Sequence, residues 1–287
     1  MLDPLLKPQG IRKLTAPSTV SHALALSGLV PFEAKILLAH VLGRDRAWIA
    51  AHGDAPLSRD EANAFETLAR RRRDGEPVAY LTGRREFFGL DLEITPDVLI
   101  PRPETELLVE RALSWLASDT SASVLDLGCG SGAVALAIAR ERPRSRVLGV
   151  DRAHAAVELA KSNAQRLAIA NASFIVADWF EGVPREAFDV IVANPPYVAE
   201  DDAYLKEGDL RFEPPFALTP GPDALTAIRT IIAAAPAHLA PRTALALEHG
   251  HDQSHVVQGL FSEAGFTDVR SWRDLAGIFR VTTGVLA

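Results

Sequence analysis

Apolar positions along the chain change period twice. Before residue 84 they recur at helical spacing, as in Phe32, Ile36, Leu37, Leu38, Val41 and Leu42, with Gly43 placed as a C′ stop. Ser58-Arg59-Asp60-Glu61 is a capping-box pattern that opens a second helix through Ala62, Phe65, Leu68 and Ala69, ended by Gly75. Over 84–103 the pattern reads as two strands about a turn, and Pro96, Pro101 and Pro103 break any helix. From Glu104 onward, short apolar runs at 124–127, 146–150, 188–193 and 243–248 alternate with helical stretches such as 133–140 and 252–264. Alternation of that kind predicts a mostly parallel sheet with helices on both faces. The chain thus divides into a helical domain over 1–83, a β-hairpin linker over 84–103 and an α/β domain over 104–287. Residues 198–222, with Pro214, Pro215, Pro220 and Pro222, read as a long loop too rich in proline for a regular element, and long loops of this kind are usually functional.

The most informative chemistry lies at the carboxyl end of the 188–193 strand, in Asn194-Pro195-Pro196-Tyr197. Ligands gather outside that end of strands in open α/β sheets. Two prolines remove two N–H donors and fix φ, and each restricts the residue before it to extended geometry. What remains is a stiff turn carrying carbonyl acceptors, an Asn amide and an aromatic ring, suited to holding a planar –NH2 group by its two hydrogens. Upstream, the 124–127 strand runs into Gly128-Cys129-Gly130-Ser131-Gly132 and then a helix. Glycines there permit φ > 0 and let a ligand approach the backbone. Asp151 follows the next strand at close to the spacing of about 20 residues expected of a ribose-binding carboxylate. The alternative for Asp151 is a helix N-cap, and for the glycine run a tight strand–helix turn with no ligand.

A nicotinamide dinucleotide site prefers G-x-G-x-x-G, whereas the Asp126-x-Gly128-x-Gly130-x-Gly132 spacing resembles motif I of class I S-adenosylmethionine-dependent methyltransferases. With the Asn-Pro-Pro-Tyr turn beside it, the chain is identified as resembling the release-factor glutamine methyltransferases, which methylate the glutamine of the Gly-Gly-Gln tripeptide in bacterial class I peptide-chain release factors. The resemblance spans nearly the whole length. It includes 75–83, Leu99-Ile100-Pro101-Arg102-Pro103-Glu104-Thr105-Glu106, Ala177-Asp178-Trp179-Phe180, 208–214 and Leu247-Glu248-His249-Gly250. Asn-Pro-Pro-Tyr alone is shared with adenine and guanine amino methyltransferases; the Ile-Pro-Arg-Pro-Glu-Thr-Glu and Arg-Phe-Glu-Pro segments narrow the family. Cys129 and Ser131 stand where relatives often have Thr.

The resemblance implies a Rossmann-like, mostly parallel seven-stranded sheet, closed by an antiparallel pair over 267–273 and 278–283, with an N-terminal helical bundle that binds the release factor. It implies S-adenosylmethionine as cofactor. Gly128, Cys129, Gly130, Ser131 and Gly132 would lie beneath its methionine part, Asp151 on the ribose, Asp178 and Trp179 at the adenine, and Asn194 at the junction with the substrate. Asn194, Pro195, Pro196 and Tyr197 form the catalytic turn, with Tyr197 against the amide plane or else filling the loop base. Trp179 has plain core as its competing reading, and Asp126 orients the glycine turn. Arg102, Glu104, Glu106, Arg211 and Glu213 either line a substrate entrance or cap helices and pair at the surface; His249 is a candidate base or a structural histidine. No metal is expected, since Glu248, His249 and His251 lack ligand spacing.

Composition narrows the partner. Net charge is −7 over 287 residues, and the one dense basic run, 70–73, reads as a helix end suited to the dipole. A chain gripping a nucleic-acid backbone needs a basic face, so no direct nucleic-acid binding is expected, and an acidic enzyme matches a basic protein partner. No apolar run reaches the roughly 18 residues of a membrane span. Residues 1–8 lack the pattern of a secretory signal, and the single Cys fits a reducing cytoplasm. The alternative activity is amino methylation of adenine or guanine in nucleic acid, which requires base extraction. A non-catalytic binding protein would show a broken turn, and both turns are intact.

Overall fold

The computed structural model describes residues 18–119 and 121–287, in two compact units that divide between Thr82 and Gly83. The reading of residues 1–8 lies outside the described residues.

Among the described residues of the first unit a short antiparallel ribbon, β1 (Ser18–Thr19) with β2 (Pro56–Leu57), accompanies five helices: α1 (Val20–Leu26), α2 (Pro31–Leu42), α3 (Arg46–Ala51), α4 (Arg59–Arg73) and α5 (Val78–Thr82). Gly43 ends α2 at φ 59°, and the N–H groups of Gly43 and Arg44 close back on the carbonyls of His40 and Ala39; only the left-handed region permits this stop without strain. The capping box is complete: Glu61 N–H donates to Ser58 Oγ at 3.2 Å and Ser58 N–H to Glu61 Oε2 at 2.7 Å. Leu37, Leu38, Ile49 and Phe65 fill the core. Phe32 has the helical period but faces solvent at 60% exposure, under the Arg46 guanidinium. The basic run closes α4, where Arg71 pairs with Glu76, Arg72 with Glu33 and Arg73 with Glu66. These cations fasten the helix end rather than form an open basic face.

The second unit begins with a hairpin, β3 (Arg84–Phe87) and β4 (Leu90–Glu93), turned through Phe88 and Gly89, both at positive φ. A two-residue turn of that hand matches the strand twist, and the non-glycine member is held from outside. Glu106 Oε1 accepts the Phe88 N–H at 2.9 Å, and Arg140 donates to the Phe88 carbonyl. Glu106 is therefore a clasp on the hairpin.

The elements that follow are α6 (Glu106–Trp115), β5 (Ser123–Leu127), α7 (Ala133–Glu141), β6 (Arg146–Asp151), α8 (His154–Arg166), β7 (Ala172–Val176), β8 (Phe188–Ala193), α9 (Pro215–Leu218), α10 (Thr226–Ala234), β9 (Leu239–Glu248), α11 (Ser254–Glu263), β10 (Phe266–Arg273) and β11 (Phe279–Leu286). They build one seven-stranded sheet in the order β10-β11-β9-β8-β5-β6-β7, antiparallel at β11 and its two partners. The other neighbouring pairs are parallel. The chain starts at β5, steps outward to β7, then returns to the other side of β5 as β8. The order reverses there, at the position where open α/β sheets bind ligands. Leu125, Leu127, Ile191, Ala193, Leu245 and Leu247 pack on one face with Ile228 and Ile231 of α10 and Val257 and Phe261 of α11. The intervening Val124, Val190 and Val192 are buried too, as expected of strands covered on both sides.

The segment 198–222 corrects the sequence reading. It is not structureless: 3-10 turns occupy Ala203–Lys206 and Gly208–Phe212, and Pro215 starts α9. Proline is favoured at the first helical position because no partner exists there for an N–H. Val198 N–H to Leu218 O and Glu200 N–H to Gly221 O pin the segment to itself.

One side chain ties the hairpin to the sheet. Asn163 of α8 is fully buried; its Oδ1 accepts the Glu93 N–H at 2.7 Å, and its Nδ2 donates to the carbonyls of Glu93 and Ser131, both at 3.0 Å. Asn163→Ala removes these three bonds and a fourth, from Arg166 Nη2 to Oδ1 at 3.3 Å, and leaves partly or fully buried partners unmatched, so we expect a loss of about 2–4 kcal/mol, measured by urea denaturation, with the circular dichroism of the folded state retained. A loss below about 0.5 kcal/mol contradicts this assignment.

Candidate active site

Parallel register sets the site. Leu127 pairs with Ala193, and Ala193 with Leu247, so Gly128 and Asn194 leave their strands level with Glu248, the last residue of β9, at one edge. A cavity of about 420 Å³ opens there, within the range of about 300–1,000 Å³ of small-molecule sites.

The glycine turn forms one wall. Gly128, Gly130 and Gly132 all have positive φ, at 73°, 53° and 83°. Gly128 and Cys129 donate their N–H groups to Val150 O, which folds the turn back over β6. Gly132 is the N-cap of α7, and a Cβ there would lie 3.1–3.2 Å from Ala160, Leu136 and Phe174. It therefore serves packing, while Gly128, Cys129, Gly130 and Ser131 line the cavity. Asp126 Oδ2 accepts the Ala135 N–H of α7 at 3.0 Å, beneath the turn. Complete burial pushes its carboxyl up to about 7 against that hydrogen bond, and the Asp151 charge adds to the rise. Burial and the same two carboxylates push the Cys129 thiol well up, so Cys129 is a neutral filler.

Asp151 ends β6 on the cavity wall. Its Oδ2 accepts the Gly130 N–H at 3.0 Å and its Oδ1 the Ala153 N–H at 2.9 Å. It does not cap α8, whose N-cap is Ala153; each oxygen keeps a lone pair for a ligand hydroxyl. Asp178 and Trp179 also line the cavity, but they lie beyond β7, in a turn where Asp178 and Glu181 exchange backbone bonds. The Trp179 ring leans on the sheet core and also faces Gly128, where a Cβ would stand 3.5 Å from it. It is core on one side and wall on the other.

Asn194 and Pro196 belong to the wall, whereas Pro195 and Tyr197 do not appear among the described lining residues. Asn194 Nδ2 donates to Thr105 Oγ1 at 3.2 Å, which leaves Oδ1 as the free end of the amide. The Tyr197 ring packs on the sheet core and its hydroxyl donates to Glu248 Oε1 at 3.1 Å. The expectation of a ring stacked on a substrate amide is thus replaced by a ring tucked beneath the turn, because a buried carboxylate draws its hydroxyl. Glu248 is fully buried and pushed up to about 7, chiefly by burial.

Arg102, partly exposed, and the buried Glu213 form an ion pair at 2.5 Å, and Glu213 Oε2 accepts the Ile100 N–H at 3.1 Å. The pair joins the 99–102 stretch to the segment carrying Phe216 and Thr219, two sides of the cavity wall. Burial lifts the Glu213 carboxyl above its ordinary value despite the guanidinium. Arg211 lies over the Phe212 ring. His249 is structural: Nδ1 faces Gly250 O at 2.8 Å and must carry the proton, so Nε2 accepts from the Thr282 hydroxyl at 2.9 Å. Burial lowers its pKa and keeps it neutral.

Sequence reasoning missed Thr105 and Glu248. Thr105 lies between Glu104 and Glu106, two candidate entrance residues; Glu248 is a charge that ends an apolar central strand, a signal available in the pattern. Asp97, Asp151 and Asp178 line the cavity as carboxylates against Arg102 and Arg152, while Asp126 beneath the glycine turn holds its proton up to about pH 7. That balance suits a ligand bearing positive charge and disfavours a pyrophosphate. The glycine turn, a hydroxyl-accepting carboxylate and an indole wall fit a nucleoside joined to a cationic amino-acid chain. Among the described residues no cluster of three or more His, Cys, Asp or Glu is placed to hold a metal ion, and no helix is long and apolar enough to cross a membrane.

Residues 104–207 match the methyltransferase small domain family, and residues 18–83 match the PrmC N-terminal domain family. The chain is similar to the release factor glutamine methyltransferase of Burkholderia pseudomallei, with 50% identity covering 94% of this chain and 97% of the relative. To that of Bordetella pertussis the identity is 49%, covering 92% and 97%. Among solved structures, the Thermus thermophilus 16S rRNA N2 G1207 methyltransferase, in complex with AdoMet and guanosine, superposes with TM-score 0.52 at 22% identity, over 71% of this chain and 50% of that one. This last likeness shows the shared fold.

Raised carboxyl pKa values make a stability prediction with a definite sign. Asp126 binds its proton more tightly folded than unfolded, so its contribution is fully present below about pH 4 and is lost as pH rises through about 7. In an Asp126→Asn variant the side-chain amide oxygen still accepts the Ala135 N–H, and nothing ionises. Relative to the unsubstituted chain, that variant should gain about 2–4 kcal/mol between about pH 4 and about pH 8, read from urea denaturation at each pH; a pH-independent difference is the contrary result.

Proposed function

The chain belongs to the release factor glutamine methyltransferase family, and on that footing we propose that it transfers a methyl group from S-adenosylmethionine to the side-chain nitrogen of a glutamine in peptide chain release factors, the one in their Gly-Gly-Gln motif. The observation that carries the reading is Asn194, set on the cavity wall one strand from Gly128 with its Nδ2 engaged by Thr105. The cofactor supplies an electrophilic methyl on a sulfonium. Gly128, Cys129, Gly130 and Ser131 hold its methionine part, Asp151 the ribose hydroxyls, and Asp178 and Trp179 border the adenine.

A carboxamide nitrogen is a poor nucleophile because its lone pair is delocalised into the carbonyl. The enzyme's task is then orientation, bringing nitrogen to about 3–3.5 Å from the methyl and in line with the departing sulfur. Asn194 Oδ1 and the Pro195 carbonyl each accept one N–H of the substrate amide. Their dipoles stabilise the positive charge that develops on nitrogen, and the two prolines hold them in place beforehand. One N–H proton then leaves to water. The acidic cavity wall agrees with a cationic cofactor, and net charge −7 with a basic protein partner. The helical unit ending at Thr82 serves recognition of the release factor, and the single thiol fits a cytoplasmic setting.

Labelled methyl donor should mark purified release factor, and neither its Gly-Gly-Gln Gln→Ala variant nor DNA or RNA. Label on nucleic acid alone would replace this reading with base methylation. Asn194→Ala should lower kcat by about 100- to 1,000-fold while donor affinity stays within several-fold; near-normal methylation by that variant refutes the assigned role.

A further inference from the structure

We propose that Glu248 is a positioning residue that sets, through the Thr105 hydroxyl, which end of the Asn194 amide faces the cavity. The inference rests on the reading of Asn194 Oδ1 as an acceptor for the substrate –NH2. It deepens that reading by asking what keeps the oxygen, and not the nitrogen, pointed at the substrate.

An Asn side chain is nearly symmetric in shape, so its two ends differ only in what they can bond. Asn194 Nδ2 lies 3.2 Å from Thr105 Oγ1. A hydroxyl has one proton to give and lone pairs to receive with; if Thr105 gave its proton to Asn194, the amide would have to turn round and meet it with Oδ1. Glu248 removes that choice. It lies one residue beyond Leu247 on the strand beside β8, is fully buried, and has the Thr105 hydroxyl as a neighbour that stabilises its charged form. Tyr197 already donates to Oε1, while Oε2 is buried without a partner in hydrogen-bond geometry. An ionised carboxylate only accepts, so it draws the Thr105 proton. Thr105 Oγ1 can then only receive from Asn194, and Nδ2 turns to it. The same carboxylate holds the Tyr197 hydroxyl at the far end of the turn.

A neutral group at position 248 breaks this order. A protonated acid or an amide can donate to Thr105, and the hydroxyl proton is then free to turn to Asn194 Oδ1. The –NH2 of Asn194 would meet the –NH2 of the substrate, donor against donor. The groups that face Glu248 are Thr105 and Tyr197 as donors, Glu104 opposing its ionisation and Arg280 favouring it. His249, next on the strand, is engaged by Thr282 and Gly250 and stays neutral. Burial pushes the carboxyl up to about 7, so the relay becomes ordered as pH rises through neutrality.

The test is steady-state methylation of purified release factor from labelled S-adenosylmethionine between about pH 5.5 and about pH 9, with Glu248→Gln, Glu248→Asp, Thr105→Val, Thr105→Ser and Asn194→Ala. Unsubstituted enzyme should show kcat rising with pH through about 7. Glu248→Gln and Thr105→Val should each lower kcat by about 10- to 100-fold, less than loss of a direct contact, and flatten that limb. KM and Kd for the methyl donor should stay within about twofold, since neither side chain is assigned to the donor. Glu248→Asp and Thr105→Ser should regain part of the rate and the limb. Should Glu248→Gln fail to fold, the Thr105 pair carries the same test. Unchanged kcat and pH limb in Glu248→Gln or Thr105→Val overturns the relay, as does Thr105→Ser being as slow as Thr105→Val. An active Asn194→Ala defeats the underlying reading instead, whereas inactive Asn194→Ala with fully active Thr105→Val defeats the relay alone.

Discussion

The parallel pairing of β5, β8 and β9 in one register is the constraint from which the site follows. Hydrogen-bonded strands leave no freedom in how far each runs before its loop begins, so the register that joins Leu127, Ala193 and Leu247 also sets Gly128, Asn194 and Glu248 side by side. A slip by one residue would exchange the two faces of a strand, taking Ile191 or Leu245 off the face packed by α10 and α11 and turning Asn194 away. Burial of both faces specifies the register. The turns at the strand ends therefore inherit positions set by packing far from the chemistry.

Buried carboxylates finish the arrangement, each satisfied differently. Asp126 takes a helix N–H under the glycine turn, Glu213 takes a guanidinium and a backbone N–H across the cavity, and Glu248 takes a tyrosine hydroxyl beneath the catalytic turn. A charge removed from water is costly unless hydrogen-bonded, and these groups accept strong bonds in only a few directions. Each thereby orients a loop that would otherwise have many conformations. Asn163 does the same with a neutral amide, holding the hairpin and the glycine turn together.

Local signals were legible where a residue's role depends on its own backbone. Gly43 as a helix stop, the Ser58–Glu61 box, a hairpin after residue 83, which the structure confines to 84–93 of the expected 84–103, and the proline-stiffened turn at 194–197 could be read because capping, turn geometry and proline restriction act within a few residues. The exposed face of Phe32 and the helical turns within 198–222 could not. Those outcomes depend on neighbours distant in sequence.

By itself, then, the sequence determined the period of each element, the stiff acceptor turn, the glycine turn and, through its motifs, the family. Tertiary structure alone decided that Tyr197 bonds Glu248 rather than lining the cavity, that Gly132 serves packing, that Glu106 holds a hairpin, and that Thr105 stands behind Asn194. Periodicity reports which face of an element is buried; it carries no record of which polar atom from another strand will be waiting there. That partner is chosen by sheet order and register, quantities defined only once the strands have come together.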